Sequence, residues 1–155
     1  AIGDFDGEGR QDLALAIDYS NHLSILLGNG DGSFATQALY MTGAYPFTVA
    51  IGDFDGDGRQ DLALANYYSE DVSVLLGNGD GSFATQTLYT TGDSPYSVAL
   101  GDFDGDGRQE LAVANLYSDD VTAVVGPGDA SFATETRHTE GTGTPYGRKP
   151  QLDVR

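Results

Sequence analysis

Gly52-Asp53-Phe54-Asp55-Gly56-Asp57-Gly58-Arg59-Gln60-Asp61-Leu62-Ala63-Leu64-Ala65 is the stretch on which the reading of this chain turns. It returns almost unchanged from Gly3 to Ala16 and from Gly101 to Ala114, so the sequence repeats with a period of 49 residues. Self-similarity at a fixed period marks an array of structural repeats, not one domain of unique sequence. Residues 1–49 and 50–98 agree at 36 of 49 positions. The likeness weakens through 99–140 and is gone in 141–155, a basic tail with Gly and Pro. The domain organisation expected is therefore three repeats, 1–49, 50–98 and 99–140, followed by that tail.

Each repeat reads as four short strands. In the second they centre on Val49–Gly52, Leu62–Ala65, Val72–Leu76 and Gln86–Thr90. The acidic stretch Asp53–Asp61 links the first two strands. Gly77-Asn78-Gly79-Asp80-Gly81 links the last two, because Asn-Gly and Asp-Gly supply the positive φ of tight hairpins. The 22 glycines fall every few residues, which leaves no room for an ordinary helix. The first three strands are apolar on both faces, as suits a sheet sandwiched between neighbours. About fifty residues, four strands and faces that cannot bury themselves alone describe a blade of a propeller. The fold class expected is all-β: three four-stranded antiparallel blades, too few to close into a propeller within one chain.

Composition removes several functions. The chain carries 24 acidic and 7 basic residues, a formal charge of -17. Such a chain repels a phosphate backbone, so no nucleic-acid partner is expected. No apolar run is long enough to cross a bilayer. With no Cys, disulfides and thiolate sites are excluded. Ala1-Ile2-Gly3 matches Ala50-Ile51-Gly52 inside a strand, so the chain reads as a piece of a longer precursor. Charge is polarised: Arg137 to Arg155 hold four of the seven basic residues against Glu140 and Asp153.

The acidic loop carries the chemistry. Carboxylates stand at loop positions 1, 3, 5 and 9: Asp4, Asp6, Glu8 and Asp12, then Asp53, Asp55, Asp57 and Asp61, then Asp102, Asp104, Asp106 and Glu110. Position 7 offers the backbone carbonyl of Arg10, Arg59 or Arg108. Carboxylates so close repel unless a cation lies among them. Oxygen ligands at odd positions around a Gly-assisted turn suit Ca²⁺; Mg²⁺ keeps its waters, and Zn²⁺ asks for His or Cys. One Ca²⁺ per repeat, three in all, is expected, with position 9 as the bidentate ligand. An EF-hand would need Glu at position 12, where Leu15, Leu64 and Val113 stand.

The loop, together with Leu75-Leu76-Gly77-Asn78-Gly79-Asp80-Gly81-Ser82-Phe83, resembles the FG-GAP/VCBS repeat family, relatives of which occur in the integrin alpha-subunit head. The resemblance spans about residues 1 to 140. It implies propeller blades with Ca²⁺ in the hairpin between the first two strands, held by the fifteen positions just named. Two departures stand out: Glu8 replaces Asp at position 5, which is expected to weaken the first site, and Glu110 replaces Asp at position 9. The resemblance also implies an extracellular protein of adhesion, ligand binding or scaffolding; some relatives are parts of polysaccharide-active enzymes.

No nucleophile and base converge, and His22 and His138 occupy unrelated places in their repeats, so no catalysis is expected. Phe34, Phe83 and Phe132 read as core plugs between blades. Tyr19, Tyr68 and Tyr117 recur and read as structural. Incomplete closure implies partners: further copies in a ring or filament, or the remaining blades of a longer chain. The tail is expected to supply the missing strand start of a neighbouring subunit. A protein or carbohydrate ligand fits the same family, and its identity is not written in the sequence.

Overall fold

The computed structural model describes residues 1–103, 105–125 and 133–139, with Val125 and 133–139 as backbone only. Three antiparallel sheets of four strands follow one another along the chain. The first holds β1 (Ile2–Gly3), β2 (Asp12–Ile17), β3 (His22–Leu26) and β4 (Ala38–Met41). The second holds β5 (Pro46–Gly52), β6 (Asp61–Asn66), β7 (Asp71–Leu75) and β8 (Thr87–Thr90). The third holds β9 (Pro95–Gly101), β10 (Glu110–Asn115), β11 (Asp120–Val125) and β12 (Ala133–Thr139). In each sheet sequential strands are neighbours, and no sheet closes on itself. The only helical element among the described residues is a 3-10 turn at Asp18–Ser20. The all-β, blade-like reading therefore holds. The expected roles of Phe132 and of the tail lie outside the described residues.

The core sits between sheets, and strand periodicity puts it there. Successive side chains of a strand point to opposite faces. Leu62 and Leu64 of β6 therefore turn toward the first sheet and meet Phe5, Leu23 and Ile25. Ala63 turns the other way and packs with Phe54, Leu111 and Val113. A middle blade thus needs apolar residues on both faces, which is why β6 is buried along its whole length.

Phe83 closes the first junction. It is 7 % exposed, and its ring meets Phe5 of the preceding sheet edge-on at 5.5 Å and Tyr40 at 5.7 Å. The Tyr40 hydroxyl also accepts a hydrogen bond from Phe83 N at 3.1 Å. The same residue in the first repeat, Phe34, is 41 % exposed, because no sheet precedes it among the described residues.

A polar knot fixes the crossing from one sheet to the next. The Asn66 amide donates to Asp71 Oδ1 and to Ser73 Oγ, both at 2.7 Å. Ser73 Oγ and Ser69 Oγ in turn accept from Gly43 N and Ala44 N of the incoming chain. Asn115, Ser118, Asp120 and Thr122 rebuild the knot around Gly92 and Asp93. A side chain at Gly43 or Gly92 would collide with these groups at 2.4 Å, so the elbow must be glycine. The first repeat carries Ile17 and His22 in place of the Asn and Asp.

Candidate metal centres and the blade junctions

Each acidic loop is the hairpin between the first two strands of its sheet. In the second repeat it leaves β5 at Gly52 and enters β6 at Asp61. Gly56 and Gly58 take φ of 74° and 83°, which a side chain resists, and so turn the chain back over its own carboxylates. The carboxylates wind the loop around themselves. Asp53 accepts from Gly56 N at 2.8 Å and Gly58 N at 2.9 Å. Asp55 accepts from Asp57 N at 3.1 Å, and Asp57 from Arg59 N at 2.8 Å.

Position 9 does more than the sequence suggests. Asp61 is 1 % exposed, and both its oxygens accept backbone N–H groups: Phe54 N at 2.7 Å and Gly77 N at 2.8 Å. It thereby fastens the acidic loop to the β7–β8 turn. Asp12 makes the same pair with Phe5 N and Gly28 N. Glu110 Oε2 accepts from Phe103 N at 2.7 Å, while its Oε1 is buried with no partner among the described residues.

The structure brings together Asp4, Asp6 and Asp12; Asp53, Asp55 and Asp61; and Asp102, Asp106 and Glu110, with one oxygen of each within 4.8 Å of the others. Two oxygens on opposite sides of one Ca²⁺ stand about 4.6–5.2 Å apart, so each group has the span of a single ion. Asp104 lies outside the described residues. Glu8 and Asp57, at position 5, pair instead with the guanidinium groups of Arg10 and Arg59, the latter at 2.8 Å. Arg10 also donates from Nε to Gly28 O at 2.7 Å, which ties loop and turn from a second direction.

The charge crowding has a cost in the bare loop. Burial pushes the Asp61 carboxyl up to about 6, with Asp55 and Asp57 adding to the rise and the Gly77 and Phe54 hydrogen bonds opposing it. Desolvation and the negative charge of Asp12 raise Asp6 as well, against Arg10. Asp4 Oδ1 is buried without a hydrogen-bond partner among the described residues. A buried anionic oxygen left unpaired is what a cation satisfies. With oxygen donors alone, the residues fit a hard divalent ion and not Zn²⁺.

Replacing Asp61 by Asn keeps the shape but turns one accepting oxygen into an NH₂ facing an N–H. That sets two buried donors against each other with no acceptor between them, with an expected loss of about 1–3 kcal/mol in unfolding free energy, read by urea denaturation.

The loops are also joined to one another. Gln60 Oε1 accepts from Asp4 N at 3.0 Å, and Gln109 Oε1 accepts from Asp53 N at 3.1 Å. Each glutamine, at loop position 8, thus reaches position 1 of the loop before it. Its amide fills the space where a Cβ at Gly3 or Gly52 would sit, at 2.3 and 2.6 Å. This link was missed in the sequence, although Gln11, Gln60 and Gln109 recur in register.

A family model described as an FG-GAP-like repeat matches residues 4–64 and 53–113, and one described as an FG-GAP repeat matches 94–133. No curated protein matches the chain. Among solved structures it is similar to an Agrocybe aegerita lectin, described as recognising non-reducing terminal N-acetylglucosamine, at 22 % identity and a TM-score of 0.58, over 85 % of this chain and 36 % of that one. It is also similar to the Photorhabdus luminescens Tc holotoxin pore, at 20 % identity and a TM-score of 0.52, over 95 % of this chain and 7 % of that one. The chain thus spans little more than a third of the lectin, and at these identities the likeness is one of fold. The repeats, the blade-like sheets and the family matches agree: the chain belongs to the FG-GAP repeat family.

Proposed function

We propose that this chain is an extracellular calcium-binding repeat protein with a structural or adhesive role, in which one ion per blade rigidifies the acidic hairpin. The observation that carries the reading is the threefold recurrence of a carboxylate group of single-ion span, with Asp4 Oδ1 of the first buried and unpartnered among the described residues. An affinity on the order of 10⁻⁴–10⁻³ M, usual for extracellular modules, suits a millimolar-calcium milieu. The role is non-catalytic. A carbohydrate or protein ligand is the adhesive form of this reading, and the N-acetylglucosamine recognition described for the lectin supports the carbohydrate alternative. A third reading, an accessory propeller domain of a polysaccharide-active enzyme, would be tested by the flanking gene sequence. Calorimetric titration of the chelator-stripped protein is expected to give three calcium ions per chain; absence of binding at 10 mM calcium would overturn the proposal.

A second reading, head-to-tail self-assembly, is favoured by the two outer faces. Leu15 and Phe34 of the first repeat are 41 % exposed, whereas their counterparts Leu64 and Phe83 are buried by the sheet before them. Phe103 of the third repeat is 54 % exposed, whereas Phe5 and Phe54 are buried by the sheet after them. These exposed apolar residues support contact of one outer face with the other, in a second copy or in further blades. Electron microscopy separates the readings: rings or filaments support assembly, and particles no larger than one chain exclude it.

A further inference from the structure

Each junction between sheets of the chain has two halves. On the acidic-loop side, the glutamine at loop position 8 accepts from the amide of position 1 in the loop before it: Gln60 from Asp4 N and Gln109 from Asp53 N. At the first junction Gly81 N also donates to Phe5 O at 2.9 Å, and the Phe83 ring stands 5.5 Å from that of Phe5. At the opposite end the polar knot grips the incoming chain, with Asn66 and Asp71 around Gly43, then Asn115 and Asp120 around Gly92.

The first repeat keeps the loop half. Gln11, Leu15, Gly32 and Phe34 stand where Gln60, Leu64, Gly81 and Phe83 stand in the second. Gln11 is exposed, and Leu15 and Phe34 are each 41 % exposed. A Cβ at Gly81 would meet Leu27 of the preceding repeat at 2.6 Å, whereas one at Gly32 would have nothing within 4 Å among the described residues. The knot half is lost. Ile17 and His22 replace its Asn and Asp. Ser20 Oγ donates to Ile17 O at 3.3 Å, whereas Ser69 Oγ accepts from Ala44 N of the incoming chain. The first repeat thus offers a blade face without the grip on a covalent elbow, which suits a neighbour that belongs to another chain.

The third repeat presents the matching side. Asp102 occupies loop position 1, and Phe103, 54 % exposed, corresponds to the buried Phe5 and Phe54. A Cβ at Gly3 or Gly52 would first strike the side-chain oxygen of Gln60 or Gln109, at 2.3 and 2.6 Å. At Gly101 the nearest atoms are those of the Phe103 ring, from 2.8 Å, with no glutamine among them. The third loop therefore has the seat of a glutamine without a glutamine among the described residues. The face that fits this seat is one the chain itself carries, since residues 1–49 agree with 50–98 at 36 of 49 positions.

We propose that the third acidic loop is completed in trans: Gln11 of the partner subunit, a second copy of this chain, accepts from Asp102 N, and the partner subunit's Phe34 packs against Phe103. This clasp rests on the head-to-tail reading above and gives it a register. The contact is heterologous, so each chain offers its first face and receives on its third, and the series closes into a ring or runs on.

The test pairs two full-length variants, each with one face blocked by a charge that the contact would bury unpaired. Leu15→Lys keeps the receiving face, and Phe103→Lys keeps the offering face. Both positions are exposed in the single chain, so the changes leave its core in place. Sedimentation is expected to show each variant alone as a single chain and the mixture as a one-to-one pair. Adding Gln11→Ala to the Phe103→Lys chain is expected to weaken pairing about 2–10-fold, the loss of one hydrogen bond. The same change in the Leu15→Lys chain, whose offering face is already blocked, leaves pairing unaltered. Equal effects of Gln11→Ala in the two chains, or none in either, would overturn the clasp and leave the head-to-tail reading standing. No pairing in the mixture would assign these faces to further blades and overturn both. Pairing of either variant with itself would overturn both as well, because a head-to-tail contact needs both faces intact.

Discussion

Removing calcium is expected to lower the unfolding free energy by about 4–8 kcal/mol relative to protein held in 10 mM calcium. The figure follows from linkage. An ion that binds the folded state alone stabilises it by RT ln(1 + [L]/Kd), about 1.4–2.7 kcal/mol per site at 10–100 times the dissociation constant. Three carboxylate groups multiply that contribution. The unfolded chain contributes little binding, because Asp53 and Asp61 are brought together only by the hairpin between β5 and β6. Ion-free loops hold their carboxylates against one another and against burial, so the loss should be felt first at the acidic hairpins. Thermal unfolding with excess chelator, against calcium and against magnesium at matched ionic strength, measures it. An unchanged Tm would sink the calcium reading, and equal rescue by magnesium would remove the argument for a large, flexible oxygen cage.

Phe83→Ala is expected to cost about 3–5 kcal/mol, the usual range for truncating a buried aromatic ring. The ring has no room to be replaced by its neighbours. It stands edge-on to Phe5 and Tyr40, and Gly81 N beside it donates to Phe5 O across the junction at 2.9 Å. Collapse of the cavity would require the first sheet to shift against the second. Phe34→Ala is the internal control: the same residue in the same turn, half in water, should cost a small fraction of that. Chemical denaturation of the two variants checks the pair, and equal losses would show that Phe83 is not the junction plug.

These contrasts show which features a sequence with internal repeats makes legible. The blades could be read because strand and turn signals recur at one spacing, and the ion loops because carboxylates at alternate positions have few other uses. Phe83 could be placed between blades for the same reason. The dual grip of Asp61 could not be read, since the Gly77 N–H it holds is sixteen residues away and gives no local signal. The Asn66–Asp71–Ser73 knot was hidden because its partner, Gly43, belongs to another repeat. Recurrence alone did not place the tyrosines. Tyr19, Tyr68 and Tyr117 recur in register, and they fall in turns at the end of the sheets, where exposure depends on neighbours that periodicity does not reveal. Glu8 shows the opposite limit: its longer arm suggested a weaker ligand, and the structure turns it toward Arg10.

The glutamine that the second and third repeats each send backward gives the array a direction. Gln109 belongs to the third loop but secures the first amide of the second, and Gln60 does the same for the first. An injury and its symptom therefore lie one repeat apart: losing Gln109 loosens the loop of Asp53, fifty-six residues upstream, while its own loop keeps its internal bonds. The repeats resemble roof tiles, each holding down the edge of the one before, so that wear at any course exposes the course beneath it.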